Sequence, residues 1–118
     1  MLRKKVLVVD DDDDVRDLLV KLLEAEGFVV DIAGDGLGGV DKALAHDYDL
    51  ILMDNRMPGC WADEATRRIM AEKPGQRIVI VTGSPRDESV DRALQNGALA
   101  CLSKPFNIED VARMAGSG

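Results

Sequence analysis

The residues of this chain that are best suited to chemistry are carboxylates. Five aspartates stand in a row at positions 10–14, and another, Asp54, follows a short apolar run. Carboxylates held close together repel one another, so a bound proton or cation must relieve their charge. Oxygen ligands at an open site suit Mg²⁺, which takes six oxygens at about 2.0–2.1 Å and keeps several waters. The pattern therefore predicts a magnesium site, provided that the fold brings Asp54 to the aspartate run.

A hydroxyl and an ammonium complete the set of candidate residues. Thr82 ends a second apolar run, and Lys104 precedes a proline near the end of the chain. A carboxylate beside Mg²⁺, with Lys and Thr close by, has the parts needed for phosphoryl transfer. One carboxylate would be the nucleophile, while the metal and the ammonium would bind the equatorial oxygens of the transferred group.

Each of these residues follows a segment that predicts a buried strand. Runs rich in Val, Ile and Leu indicate strands at 5–10, 28–33, 50–53, 77–82 and 98–102. The segments between them, and a last one from about Ile108, predict helices. Strands that alternate with helices build a parallel sheet covered on both faces. Ligands bind beyond the carboxyl ends of such strands. The residues predicted there are Asp10, Asp11, Asp54, Thr82 and Lys104.

Apolar spacing also predicts which helix side chains face the sheet. In the first helix, one stripe is formed by Val15, Leu18, Leu19, Leu22 and Leu23. Leu37 in the second helix and Leu94 in the fourth are expected to face inward as well. Asp12 or Asp13 is predicted to cap the first helix. Asp31 indicates an exposed or edge position for the second strand.

Charge and composition narrow the classes of function. The chain has 22 acidic and 15 basic residues and a net charge of −7. This balance disfavours direct binding of nucleic acid or of an anionic membrane surface. Only four apolar residues, at 6–9, follow the basic N-terminus, too few for a signal peptide or a membrane span. We therefore expect a soluble, cytoplasmic protein.

The length of 118 residues predicts a single domain over 1–118. Cys60 and Cys101 lie far apart, match no metal-ligand spacing and fit a reducing compartment. The last helix is short and is followed by Gly-Ser-Gly at 116–118, which is compatible with a chain cut from a longer protein.

Four motifs, taken in order, resemble the receiver domain of two-component response regulators, of the kind found in chemotaxis regulators. They are Val8-Val9-Asp10-Asp11, Asp54-x-x-Met57-Pro58, Thr82-Gly83 and Lys104-Pro105-Phe106. The resemblance runs from Lys4 to about Ala115. It implies a flavodoxin-like α/β fold, in which five helices cover a doubly wound, five-stranded parallel sheet of order 2-1-3-4-5.

The resemblance also implies the roles of the acidic residues. Asp54 would accept a phosphoryl group from a histidine of a sensor kinase or a phosphotransfer protein. Asp11 would bind Mg²⁺ directly, and Asp10 mostly through water. Asp54 and the backbone carbonyl of Arg56 would be further ligands of the metal.

Other residues would bind the phosphoryl group or surround it. Thr82 would hydrogen-bond the group, and Lys104 would pair with phosphorylated Asp54. The peptide bond before Pro105 would be cis. Met57 and Ser84 would be neighbours of the site.

The implied activity is that of a signalling domain that catalyses its own phosphoryl transfer and dephosphorylation, rather than that of a conventional enzyme. A downstream effector would bind the face formed by the fourth helix, the fifth strand and the fifth helix. Neither nucleic acid nor a membrane is an expected partner. A homodimer is compatible with the sequence.

The chain departs from the family pattern at four positions. Cys101 stands where the family has an aromatic residue that changes rotamer on activation, so we predict an altered switch at the effector face. Trp61-Ala62 replaces the Asp-Gly that often follows the Met-Pro motif. Arg56, two residues after the predicted phosphoacceptor, is long enough either to bind the phosphoryl group or to block the attacking water.

Two other functions are compatible with the sequence. A receiver-like module that only docks a partner is compatible with Cys101 and Trp61. A Mg²⁺-dependent hydrolase resembling haloacid dehalogenases would use Asp10-x-Asp12, but such enzymes need a cap and a longer chain.

Overall fold

Five short apolar segments form a parallel sheet in the computed structural model, which describes residues 3–116. The strands are β1 (Lys5–Val9), β2 (Val29–Ala33), β3 (Leu50–Asp54), β4 (Ile78–Thr82) and β5 (Ala100–Ser103). The helices are α1 (Asp13–Ala25), α2 (Gly36–Ala45), α3 (Ala62–Glu72), α4 (Glu88–Gln95) and α5 (Ile108–Gly116). Residues 117–118 of the predicted C-terminal segment lie outside the described residues.

The strand order is β2-β1-β3-β4-β5, and every pair is parallel. This confirms the predicted doubly wound α/β fold, and β2 has the edge position that Asp31 indicated. In the described chain no helix is both long enough and apolar enough to cross a membrane.

Alternate residues of the central strands enter two separate cores. Leu7, Ile51 and Ile80 pack on the side of α2, α3 and α4. Their neighbours Val8 and Leu52 pack on the side of α1 and α5. Because both faces of the sheet are covered, the strands are continuous apolar runs rather than alternating ones.

The predicted stripe of α1 is only half correct. Leu19 and Leu23 are buried against the sheet, whereas Leu18 is 58% exposed and Leu22 is exposed as well. These two leucines lie on the flank of α1, where they line a shallow apolar groove with Phe106. Asp12 caps the helix by accepting hydrogen bonds from the backbone amides of the first turn.

The inward assignments of Leu37 and Leu94 are wrong, because both side chains are exposed. In α2, small residues turn toward the sheet instead. A Cβ on Gly39 would lie 2.8 Å from Cγ2 of Val9. The close approach of this glycine to β1 turns Leu37 toward solvent.

β5 begins at Ala100, two residues later than predicted. The amide of Ala98 still donates to the carbonyl of Ala93 at the end of α4. Gly97 permits this turn because it adopts a φ of +118°, a conformation that other residues rarely take. Residues 98–99 therefore belong to the helix–strand connection.

Candidate functional site

The predicted site residues lie at the carboxyl ends of neighbouring strands. Asp54 and Thr82 are the last residues of β3 and β4, while Asp10 and Lys104 come one residue after β1 and β5. The amide of Lys104 donates to the carbonyl of Thr82 at 2.8 Å, which fixes the end of β5 beside that of β4. The sheet therefore brings together the groups that the sequence placed at its edge.

Asp10, Asp11 and Asp54 form an acidic cluster. One carboxylate oxygen from each lies within 4.8 Å of the other two. Asp10 is buried and Asp11 is exposed, so the cluster is open on one side. Burial is the main cause of a raised pKa at Asp54, and the charge of Asp10 raises it further. A cation at this position would relieve the repulsion.

Lys104 is the cation that already faces the cluster. Its Nζ lies 3.3 Å from Oδ1 of Asp54 and 3.7 Å from Oδ2 of Asp10. The ammonium opposes the rise in the pKa of Asp54. Lys104 is followed by a cis peptide bond to Pro105, as the family resemblance implied.

The turn after β1 is held by hydrogen bonds that fix the acidic residues. Oδ1 of Asp10 accepts from the amide of Asp12 at 2.9 Å. Arg16 donates from Nη1 to the carbonyl of Asp10 at 2.9 Å and from Nη2 to Asp13 at 2.5 Å. Asp12 and Asp13 thus stabilise the turn and the helix start, in agreement with their predicted structural role.

The turn after β4 is shaped by Thr82. Its Oγ1 accepts a hydrogen bond from the amide of Ser84 at 3.0 Å. Thr82 is almost completely buried, whereas Ser84 is exposed. The hydroxyl can rotate its proton toward a ligand while its oxygen still accepts from Ser84.

The loop after β3 contains one buried residue, Met57, and two exposed ones, Arg56 and Trp61. Met57 is buried in the core on the α3 side. Arg56 is exposed, pairs with Asp87 and lies with its guanidinium carbon 5.3 Å from the centre of the Trp61 ring. Trp61 is exposed at the surface, and Arg56 extends toward the start of α4.

Three further polar residues, which were not predicted from the sequence, connect this loop to α4. Asn55 Nδ2 donates to Ser89 Oγ at 2.8 Å, and Ser89 Oγ donates to Asp87 Oδ1 at 2.7 Å. Asp87 also caps α4 through the amide of Ser89. An aspartate placed directly before a helix is a sequence signal for the cap. For the hydrogen bond between Asn55 and Ser89, the only sequence signal was that Asn55 directly follows Asp54.

Cys101 occupies β5 opposite Ile80 of β4 and is half-buried against the core. Burial raises the pKa of its thiol. The position where the aromatic residue was expected is thus filled by a small apolar side chain.

The chain is similar to known signalling proteins over nearly its whole length. A family model described as the response regulator receiver domain matches residues 6–115. The transcriptional regulatory protein PdtaR of Mycobacterium tuberculosis is 37% identical over 92% of this chain, which spans only 53% of that relative. The chemotaxis protein CheY of Halobacterium salinarum is 35% identical over 89% of this chain and 88% of its own length.

A solved structure has the same architecture. The response regulator TrrA of Thermotoga maritima, in complex with Mg²⁺-BeF, is 31% identical and superposes with a TM-score of 0.81. The alignment covers 94% of this chain and 98% of that one. With the fold, the motifs and these similarities in agreement, the chain belongs to the receiver domain family of response regulators, whose known function is phosphorylation-mediated two-component signalling.

Proposed function

We propose that Asp54 is the phosphoacceptor of this receiver domain. The observation that carries the proposal is the contact of Lys104 with Asp54, at 3.3 Å, within the acidic cluster. An ionised carboxylate with one cation beside it, and room for a second, suits attack on phosphorus.

The transfer forms one bond and breaks another. An oxygen of Asp54 attacks the phosphorus of a phosphohistidine, and the bond between phosphorus and the imidazole nitrogen breaks. The electron pair of that bond stays with the imidazole. Lys104 then binds an oxygen of the transferred group, and the Thr82 hydroxyl donates to another. Neither residue forms a covalent bond, so both act by stabilising charge.

The residues of the cluster fit Mg²⁺ as their cation. Asp10, Asp11 and Asp54 offer only oxygen, which is the donor that this ion prefers. The backbone carbonyl of Arg56, in the loop directly after β3, is the fourth ligand that we propose. When bound, the metal would neutralise charge on the phosphoryl oxygens. The Mg²⁺-BeF complex of the related TrrA supports this assignment.

The partners follow from this role. A sensor histidine kinase or a phosphotransfer protein would donate the phosphoryl group, and an effector would bind the face of α4, β5 and α5. Leu94 and Leu99 are exposed on or beside this face and support such a contact. A second copy of this chain, bound through the same face in a homodimer, is a further proposed partner.

The free thiols of Cys60 and Cys101 support a reducing, cytoplasmic location. We propose that residues 1–118 are one receiver domain with its core at about 4–115.

Intact mass after incubation with acetyl phosphate and Mg²⁺ tests the proposal. We expect one phosphoryl group to be added, and Asp54→Asn to abolish the addition. Asp49→Asn, at the opposite end of the sheet, is the matched control and should keep it. No addition to the wild-type chain would overturn the proposal and favour a domain that only docks a partner. Steady release of phosphate from simple phosphate esters, without an adduct, would favour a hydrolase.

A further inference from the structure

Arg56 has two partners that hold it near the start of α4. Its Nη2 pairs with Oδ2 of Asp87, and its guanidinium lies over the ring of Trp61. A guanidinium stacked on an indole is attracted to the negative face of the ring. Arg56 is nevertheless attached to the loop only two residues after Asp54, so an anion at Asp54 would be a third potential partner.

Asp87 divides its two carboxylate oxygens between different tasks. Oδ1 accepts from the amide and the hydroxyl of Ser89 and so caps α4, while Oδ2 pairs with Arg56. The hydrogen bond from Ser89 and the charge of Arg56 hold the pKa of Asp87 below its usual range. Because the cap is made through Oδ1, Oδ2 can lose Arg56 without loss of the cap.

We propose that Arg56 is a positioning residue that exchanges Asp87 for the phosphoryl group when Asp54 is modified. In the unmodified chain, Asp87 and Trp61 keep the guanidinium directed toward α4. After modification, the guanidinium binds the phosphoryl oxygens, and the ion pair between the loop and α4 is lost.

The exchange follows from the charges of the two competing anions. A phosphoryl group carries a charge of about −1.5 to −2 and three acceptor oxygens, whereas Asp87 offers one free oxygen and a charge of −1. Arginine binds such oxygens through two parallel N–H groups. The Asn55–Ser89 hydrogen bond is buried and does not involve Arg56. The first turn of α4 thus keeps one anchor and loses the other.

This inference rests on the proposed phosphoacceptor, and two measurements separate them. The first uses the fluorescence of Trp61, the only tryptophan of the chain. In the metal-free protein, Arg56→Gln and Asp87→Asn should both change the emission, because the first removes the guanidinium from the ring and the second removes the ion pair that helps to hold it there. Mg²⁺ with beryllofluoride should change the wild-type emission toward that of Arg56→Gln. An emission that neither substitution alters would overturn the proposal.

The second measurement is the affinity for beryllofluoride in saturating Mg²⁺. An exposed ion pair contributes about 0.2–1 kcal/mol. We therefore expect Asp87→Asn to bind about threefold more tightly than wild type, and Arg56→Gln about threefold more weakly. In the Arg56→Gln background, Asp87→Asn should have no effect, because the competition needs Arg56.

The matched control is the ion pair of Arg92 with Asp63, which joins α4 to α3. Its side chains are 52% and 18% exposed, compared with 59% and 16% for Arg56 and Asp87. Asp63→Asn makes the same change in net charge and should leave the affinity unaltered. If Asp87→Asn changed the affinity for beryllofluoride equally with and without Arg56, the effect would come only from the change in net charge. That result would overturn the exchange. No binding by the wild-type chain would instead overturn the phosphoacceptor itself.

Discussion

Nζ of Lys104 lies 3.3 Å from Oδ1 of Asp54, across the carboxyl ends of two strands that do not pair with each other. β4 separates β3 from β5, so the side chains reach each other above the end of β4, at Thr82. The ammonium of Lys104 thereby links the edge strand β5 to the central strand β3, at the site of the proposed chemistry.

Removal of the Lys104 charge should therefore change the pKa of Asp54 and the rate of its phosphorylation. In Lys104→Gln we expect the pKa of Asp54 to rise further, because the ammonium now lowers it. Phosphorylation by acetyl phosphate should slow by about tenfold or more, since a donor to the phosphoryl oxygens is lost. NMR titration of the carboxyl carbon and intact mass over time measure the two effects.

Lys73→Gln is the matched control. Lys73 also lies 3.3 Å from an aspartate oxygen, that of Asp47, but outside the site. Lys73→Gln should leave both the pKa of Asp54 and its phosphorylation rate unchanged. An unaltered pKa of Asp54 in Lys104→Gln would contradict the contact.

The raised pKa of Asp54 gives the metal-free chain a dependence of stability on pH. Folding favours the protonated acid, so this contribution is present below the pKa of the unfolded chain and is lost as pH rises through the higher folded pKa. At neutral pH, Asp54→Asn should therefore raise Tm by about 4 °C, or about 1 kcal/mol. The gain should shrink as the pH falls through the pKa of Asp54.

Thermal unfolding in a chelator, between about pH 7 and pH 4, measures this gain. Asp41→Asn, an exposed position on α2, serves as the comparison and should not show it. Saturating Mg²⁺ should remove the advantage of Asp54→Asn, because the cation relieves the same charge. A gain that does not depend on pH would assign the effect to packing.

Within the aspartate run at positions 10–14, we expect Asp11 to bind metal and Asp12 to stabilise the start of α1. Asp11→Asn should weaken Mg²⁺ binding by about tenfold or more, because a carboxylate of the cluster is lost. Asp12→Ala should lower the free energy of unfolding by about 1 kcal/mol, because the cap of α1 is lost. Isothermal titration and urea unfolding measure these quantities. Equal effects of both substitutions on metal affinity would show that the run acts as a diffuse charge.

Gly39 is expected to be intolerant of a side chain. A methyl group there would lie 2.8 Å from Cγ2 of Val9, a buried residue that has little room to move. Gly39→Ala should destabilise the chain by about 1–3 kcal/mol, despite the better helix propensity of alanine. At Gly38 the added methyl meets the flexible side chain of Asp35, so Gly38→Ala should cost less. The same loss at both positions would show that close packing on β1 is not the cause.

The sheet and the residues at the carboxyl ends of its strands could be predicted because they depend on local patterns. Buried parallel strands are short apolar runs, and such runs end at Asp10, Asp54 and Thr82. The predicted roles of the site residues stay predictions, since they await the chemical tests above.

Other features depend on distant neighbours. Leu37 is exposed because Gly39 packs on β1, and helical spacing alone cannot show which of two adjacent faces is chosen. The pairing of Arg56 with Asp87 joins residues 31 positions apart and depends on side-chain conformations. The start of β5 at Ala100 could not be predicted, because Ala98 and Leu99 are apolar and continue the run of the strand in the sequence.

The division of the strands between two cores has an evolutionary consequence. Residues 6–9 and 78–81 are all buried, so few substitutions can be accepted there without loss of packing. The groups proposed to bind metal and phosphate lie instead at strand ends and in the following loops. Exposed loop residues such as Arg56 and Trp61 can therefore vary between descendants of this chain, while the buried scaffold is inherited almost intact.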